Sequence, residues 1–222
     1  YHDIENAIFQ AYPNYSKIMP GIVRDFDRKV QEMVMQIRAT QSVIVRYGRE
    51  NAVNSLQNML PFIKSKSIMD FNRLCPKDVP AFVVASGPSL NKNIEELKRA
   101  KGKSLIVAVD SAIPTLLRND IVPDLFVTLD SKKDIRHTED ERSHTIPCFC
   151  ELESNAAIVA KQTGALFFMN DMSPYVNAFI NPRDIIVPPF STGGSVANSA
   201  CAILLSMGFN NIILVGQDLA YT

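Results

Sequence analysis

Two loops in this sequence have the residue types that meet an anion. The first is Ser86-Gly87-Pro88-Ser89, directly after the apolar run Ala81 to Ala85. Glycine at 87 lets the backbone turn sharply and approach a ligand closely. Proline at 88 fixes its own φ and restrains the loop. Ser89 can cap a following helix or donate to an oxygen anion. The second loop, Ser191-Thr192-Gly193-Gly194-Ser195, opens an apolar helix. Two glycines, hydroxyls and a helix N-terminus make a cradle for phosphate, where free N–H groups and the helix dipole both favour negative charge. Neither loop is a G-x-G-x-x-G or a G-x-x-x-x-G-K-[ST] motif. Alone, Gly-Pro-Ser is a common turn.

Acidic residues recur at comparable places. Asp110-Ser111, Asp130-Ser131, Glu151 and Gly216-Gln217-Asp218 each follow a short β-rich run. Asp and Ser are also ordinary helix N-caps, so each taken singly has a structural explanation. Gathered on one edge, these carboxylates would repel one another unless hydroxyls, a cation or hydrogen-bond donors met them. Three histidines are present; His2 is terminal, and His137 and His144 lie in the charged stretch Lys132 to His144, which reads as a solvated lid or surface loop. The cysteines Cys75, Cys148, Cys150 and Cys201 have no zinc-ligand spacing, and no metal site is expected. They read as buried reduced thiols, which favours a reducing compartment and hence the cytoplasm.

The elements that must position these residues fall into two textures. From Pro20 to Ile63 the pattern is helical. Val23, Phe26, Val30, Met33, Ile37, Thr40, Ile44 and Tyr47 recur at steps of three and four, giving one apolar stripe. Gly48 is expected to break this helix. A second helix over Asn51 to Leu60 would present Val53, Leu56, Met59 and Leu60 and end by Pro61. Together they suggest a helical hairpin, which could also pair copies of the chain. Lys64 to Pro80 reads as a linker, so residues 1–79 form a helical N-terminal segment.

From residue 80 the rhythm becomes strand, turn, helix. Strands are expected at Ala81 to Ala85, Ser104 to Val109, Leu125 to Leu129, Ile146 to Cys150, Ala165 to Met169 and Ile212 to Val215. Helices are expected around Asn93 to Ala100, Ala112 to Asn119, Asn155 to Thr163 and Ser195 to Met207. Unalternating apolar strands are those buried on both faces. The fold class is therefore α/β, with a Rossmann-like, mainly parallel sheet and helices on both faces over residues 80–222. In such sheets ligands bind beyond the carboxyl ends of the strands, where the loops above lie.

Composition narrows the function classes. Of 222 residues, 46% are hydrophobic and 21% charged, a globular balance. Basic and acidic residues number 23 each, so no charge surplus points to nucleic acid. No apolar run reaches the roughly 20 residues of a membrane span, and no partner membrane is expected. The chain starts without Met and stops just after Asp218-Leu219-Ala220-Tyr221-Thr222, and it reads as a piece of a longer protein truncated within its second domain.

Taken in order, Ala85-Ser86-Gly87-Pro88-Ser89-Leu90, Ala108-Val109-Asp110-Ser111-Ala112, Val127-Thr128-Leu129-Asp130, Thr192-Gly193-Gly194-Ser195-Val196-Ala197 and Val215-Gly216-Gln217-Asp218-Leu219-Ala220-Tyr221-Thr222 resemble the central domain of the motility-associated factor (Maf) proteins. These are flagellin glycosyltransferases, and the same domain type includes the MptE-like 6-hydroxymethylpterin pyrophosphokinases. The Gly-Pro-Ser-Leu loop is also similar to the first loop of bacterial sialyltransferases, although Ser86 stands where those have Asn. The resemblance implies transfer of a nonulosonic acid, of pseudaminic or legionaminic type, from a CMP-sugar to Ser or Thr of flagellin. The Gly87 and Gly193-Gly194 loops would hold phosphate and ribose. Asp110 and Asp130 would bind hydroxyls or serve as acid and base. Ser111, Glu151, Gln217 and Asp218 would complete the site. Two alternatives stay open. One is diphosphate transfer from ATP to a pterin alcohol, with Mg²⁺ on Asp110, Asp130 and Asp218. The other is a non-enzymatic assembly module of the motility apparatus.

Overall fold

The computed structural model describes residue 12 and residues 14–169 and 195–218. Seven strands are present among them: β1 Lys66–Ser67, β2 Ala81–Val84, β3 Leu105–Val109, β4 Leu125–Thr128, β5 Cys148–Cys150, β6 Leu166–Phe168 and β7 Ile212–Val215. The helices are α1 Tyr15–Ile18, α2 Pro20–Lys64, α3 Ile68–Leu74, α4 Ile94–Ala100, α5 Ile113–Arg118, α6 Ala156–Lys161 and α7 Val196–Ser206. Short 3-10 turns cover Pro88–Asn93, Asp110–Ala112, Ile135–Thr138 and Glu141–Thr145.

All strand pairs are parallel, in the order β1-β6-β5-β4-β3-β2-β7. The expected α/β class and parallel sheet are therefore present. The chain winds from β2 outward to β6, and β7 then falls on the other side of β2. That reversal makes the carboxyl ends of β2 and β7 the topological switch point, where such sheets open a crevice. The central strands explain their own burial: every residue of β3, β4 and β5 is buried, as unalternating apolar sequence requires. Beneath β5 and β6, Phe71 meets Phe149 and Phe167 edge-on at centroid distances of 5.0 and 5.3 Å. Phe62, near the end of α2, meets Phe168 at 5.2 Å in the same way.

The N-terminal half departs from the expected hairpin. Pro20–Lys64 is one helix of 45 residues, continuous through Gly48 and Pro61. A glycine inside a helix costs only about 1 kcal/mol against alanine, which a long helix absorbs. Pro61 forfeits one backbone bond, the one its N–H would make to the Gln57 carbonyl, and the helix ends three residues later at Lys64. Compact units divide at Arg49 and Glu50, and β1 brings part of the expected linker into the sheet. In the first unit, Phe26 and Met33 of the apolar stripe are 50% and 40% exposed. In the second, three of the four residues expected on the apolar face are exposed and the fourth, Met59, is half-buried. Val53, Leu56 and Leu60 are exposed, whereas Asn58 is 1% exposed and packs inward. Apolar periodicity missed the inward face because, ahead of Phe62, that face is carried by the hydrogen-bonded Asn51, Asn54 and Asn58.

Candidate functional site

One wall of the site forms where β2 and β7 end side by side. Val84 pairs with Val215, so the residues that follow, Ala85 to Gly87 and Gly216 to Asp218, run past each other. Gly87 N–H donates to the Gly216 carbonyl at 2.8 Å. A Cβ on Gly87 would lie 2.5 Å from that carbonyl oxygen and collide with the Asp218 carboxylate. Gly216 has φ +70° and would press a Cβ into the Ala85 carbonyl. Both glycines are thus required for the two loops to close on each other. Ser89 donates to Asp218 Oδ2 from its N–H at 2.9 Å and from its hydroxyl at 2.8 Å. These bonds, that of the backbone N–H first, hold the Asp218 carboxyl below its usual range. Asp218 caps the 3-10 turn that begins at Pro88, a duty that falls to a neighbouring strand because Gly87 has no side chain to do it.

The facing wall comes from β3. Asp110 is fully buried. Its Oδ1 accepts from the Ser111 N–H at 2.7 Å and meets the Lys133 ammonium at 2.8 Å. Its Oδ2 accepts from the Thr128 hydroxyl at 2.9 Å. Burial of a carboxylate demands such a set of partners. Ser111 and Ser86 share a hydroxyl hydrogen bond of 3.0 Å, which ties the ends of β2 and β3. The start of α7 closes the third side. Ser195 caps that helix through its hydroxyl, accepting from Asn198 N–H at 3.2 Å. Between these parts lies a cleft of about 400 Å³, lined by Ala85, Ser86, Gly87, Val109, Asp110, Ser111, Lys133, Ser195, Val196, Ala197, Gly216 and Gln217.

Of the residues singled out from sequence, the cleft brings together Ser86, Gly87, Asp110, Ser111, Ser195 and Gln217. Pro88, Ser89 and Asp218 do not line it; they belong to the capped turn just described. Asp130 and Glu151 do not line the cleft. They follow β4 and β5, two and three strands along from β2, or roughly 10 and 14 Å at the usual strand spacing. Asp130 Oδ1 accepts from the Lys132 N–H at 2.9 Å, an Asx turn. Ser191, Thr192, Gly193 and Gly194 lie outside the described residues. Neither histidine of the charged stretch lines the cleft; His144 Nε2 meets the Thr138 carbonyl at 2.9 Å. That stretch, expected as a solvated lid or surface loop, is a largely exposed loop built on two 3-10 turns. Asp134 and Asp140 cap its two 3-10 turns and pair with Arg136 and Arg142. The Arg136 side chain, as first cause, holds Asp134 down to about 2.

Two sets of residues escaped the sequence reading. Lys133 was hidden in the charged stretch; its signal was the run Asp130-Ser131-Lys132-Lys133 right after a strand. The other set is Asn51, Asn54 and Asn58, at helical spacing on α2. Asn58 Nδ2 donates to the Leu152 and Ser154 carbonyls at 2.9 and 2.8 Å. Asn54 Nδ2 donates to the Ser131 and Glu153 carbonyls at 3.1 and 3.2 Å, and its oxygen accepts from Ala156 N–H at 3.2 Å. Asn51 donates to the Glu153 carboxylate at 2.6 Å. The helix thus clamps the loops after β4 and β5. Their polar periodicity was the available signal.

Asp110, Asp130 and Asp218 are each engaged by donors of the chain itself, and among the described residues no three His, Cys, Asp or Glu side chains are grouped to hold a metal ion.

The family model of 6-hydroxymethylpterin diphosphokinase MptE-like proteins matches residues 53–222. The chain belongs to this family. It is 29% identical over 117 residues to the 6-hydroxymethyl-7,8-dihydropterin pyrophosphokinase of Methanocaldococcus jannaschii, covering 51% of this chain and 40% of that protein. It is also 29% identical over 109 residues to an uncharacterised protein of Treponema pallidum, covering 47% of this chain and 50% of the relative. The chain therefore spans half or less of the length of these curated relatives. Among solved structures, a Maf glycosyltransferase from Magnetospirillum magneticum superposes with a TM-score of 0.55 at 22% identity, over 65% of this chain and 23% of that one. This likeness carries the fold, and it agrees with the MptE-like membership. Among the described residues no helix is long and apolar enough to cross a membrane.

Proposed function

We propose that this MptE-like chain is the nucleotide-binding part of a glycosyltransferase that moves a nonulosonic acid from a CMP-sugar to Ser or Thr of flagellin. The observation that carries the reading is the character of the cleft. Its described walls are glycine backbone, hydroxyls, Gln217, small apolar side chains and one ammonium, that of Lys133, and the one carboxylate among the described lining residues, Asp110, is enclosed by partners. Such walls suit a ribose and a phosphate. They offer little to a magnesium–triphosphate complex, which asks for open carboxylates. In the proposed reaction the bond between the sugar's anomeric carbon and the phosphate oxygen breaks, a bond to the acceptor oxygen forms, and the acceptor's hydroxyl proton passes to the departing phosphate or to solvent. The nucleoside monophosphate that leaves is already stable, and the cleft's task is to hold it in place. The shared fold of the Maf glycosyltransferase supports this reading. The four free thiols support a reducing compartment such as the cytoplasm.

The second reading is diphosphate transfer from ATP, favoured by the identity to the Methanocaldococcus pyrophosphokinase. Thermal-shift measurements separate the two. Under the first reading CMP and CDP raise Tm by several degrees without added metal, and ATP does not. A rise with ATP only when Mg²⁺ is present would overturn the first reading in favour of the second.

A further inference from the structure

Three places at or beside the cleft could meet an anion, the start of α7, the Gly-Pro-Ser loop and Lys133, and the last two differ in what already occupies them. At the Gly-Pro-Ser loop, the Ser89 N–H and hydroxyl both donate to Asp218 Oδ2. A phosphate arriving there would meet a carboxylate and spent donors. Across the cleft stands Lys133, the one cationic side chain among the described lining residues. Its side chain is 19% exposed, whereas that of neighbouring Lys132 is 48% exposed. Its backbone is pinned at both ends: the N–H donates to the Asp130 carbonyl at 3.3 Å, and the carbonyl accepts from Asn155 Nδ2 at 2.9 Å. The ammonium is held at 2.8 Å by Asp110, itself fixed by Thr128. A lysine so confined has already lost the rotamer freedom that an ordinary surface lysine gives up on binding. An ammonium has three donors, and one contact with Asp110 leaves others for a ligand.

We infer that Lys133, rather than the Gly-Pro-Ser loop, holds the phosphate of the ligand in this cleft, and that Asp110 is a positioning residue that aims the Lys133 ammonium. The assignment rests on the nucleotide-binding reading of the cleft and adds the residue that reads the phosphate. Phosphate recognition of this kind serves a nucleoside monophosphate or a diphosphate alike, so the donor's identity is tested separately.

The experiment is calorimetric titration of the full chain with CMP, cytidine and inorganic pyrophosphate. In Lys133→Ala, CMP and pyrophosphate should weaken at least about tenfold, the scale of a charge-assisted contact, while cytidine is unchanged. Ser89→Ala should stay within about threefold for all three ligands. Lys133→Arg should keep most of the CMP-over-cytidine preference. Lys133→Met, which retains the bulk of the side chain, should lose it, and its melting curve checks that the fold persists. Asp110→Asn separates two roles for that residue: a lowered CMP-over-cytidine ratio supports positioning, and a raised ratio would mean that Asp110 only neutralises the lysine. The assignment of Lys133 is overturned if Lys133→Ala or Lys133→Met retains the wild-type ratio, if Ser89→Ala causes the larger loss, or if the wild-type chain binds neither phosphate ligand. If wild type binds pyrophosphate through Lys133 but prefers ATP with Mg²⁺ over CMP, the phosphate assignment stands and the CMP-sugar reading falls.

Discussion

The carboxyl edge of the sheet has two halves. At β2, β3 and β7 the strand ends leave a cleft. At β4 and β5 the loops after the strands are tied to α2, whose asparagines bind their carbonyls. The same residue types occur in both halves, an acidic residue beside a hydroxyl or an amide. What differs is the element packed over them. A carboxylate after a strand therefore has no role until its neighbours are known. Asp110 is sealed against Lys133 and Thr128, Asp218 is a cap, and Asp130 is an exposed turn residue.

This contrast can be broken by substitution. The largest effect is expected from Asp110→Ala. It would leave the Lys133 ammonium without its partner, and removing one member of a buried pair costs about 3–5 kcal/mol. Denaturant unfolding should show that loss, and a change below about 1 kcal/mol would mean that the pair is not buried in solution. Next comes Asn58→Ala. It orphans two buried carbonyls, Leu152 and Ser154, at a cost of about 2–3 kcal/mol in the same assay. If it proved neutral, the clamp over β4 and β5 would be ornamental. Asp130→Ala should be mild, below about 1 kcal/mol, since it removes one exposed turn contact. It should also leave CMP binding unaltered. A large loss of binding would return Asp130 to the site and erase the difference between the halves.

The smallest expected effect concerns pH. The Asp218 carboxyl sits below its ordinary value of 3.8 in the folded chain, first through the Ser89 N–H and then through the Ser89 hydroxyl. A depressed folded value means that the contact is fully present above the ordinary value and is lost as pH falls through the lowered one. The Ser89 amide resonance should thus stay fixed from neutral pH down past the usual carboxylate range, then shift in stronger acid. A shift that begins well above that range would show that Asp218 does not hold the loop.

Much of this was legible in the sequence, for reasons that can be named. Buried parallel strands announce themselves as short unalternating runs, and Ala81 to Val84 or Leu105 to Val109 have no other reading. The edge on which the cleft lies followed from the binding rule for parallel sheets and from the residues after each strand, and six of those residues line it. Three things were hidden. The continuity of α2 depended on how cheaply a long helix carries Gly48, which local rules overstate. The inward face of its second half was polar from Asn51 to Asn58, so apolar periodicity pointed the wrong way at Val53, Leu56 and Leu60. The occupation of Ser89 by Asp218 joins residues far apart in sequence, and nothing local to either reveals it.

The most direct test is the structure of the chain soaked or co-crystallised with CMP. The expected result is a nucleotide in the cleft with a phosphate oxygen within about 3 Å of Lys133 Nζ, the ordinary length of a charge-assisted hydrogen bond, and Asp218 still bound to Ser89. A phosphate seated on the Ser89 N–H with Asp218 displaced, or a nucleotide bound away from the β2–β7 switch point, would contradict the account.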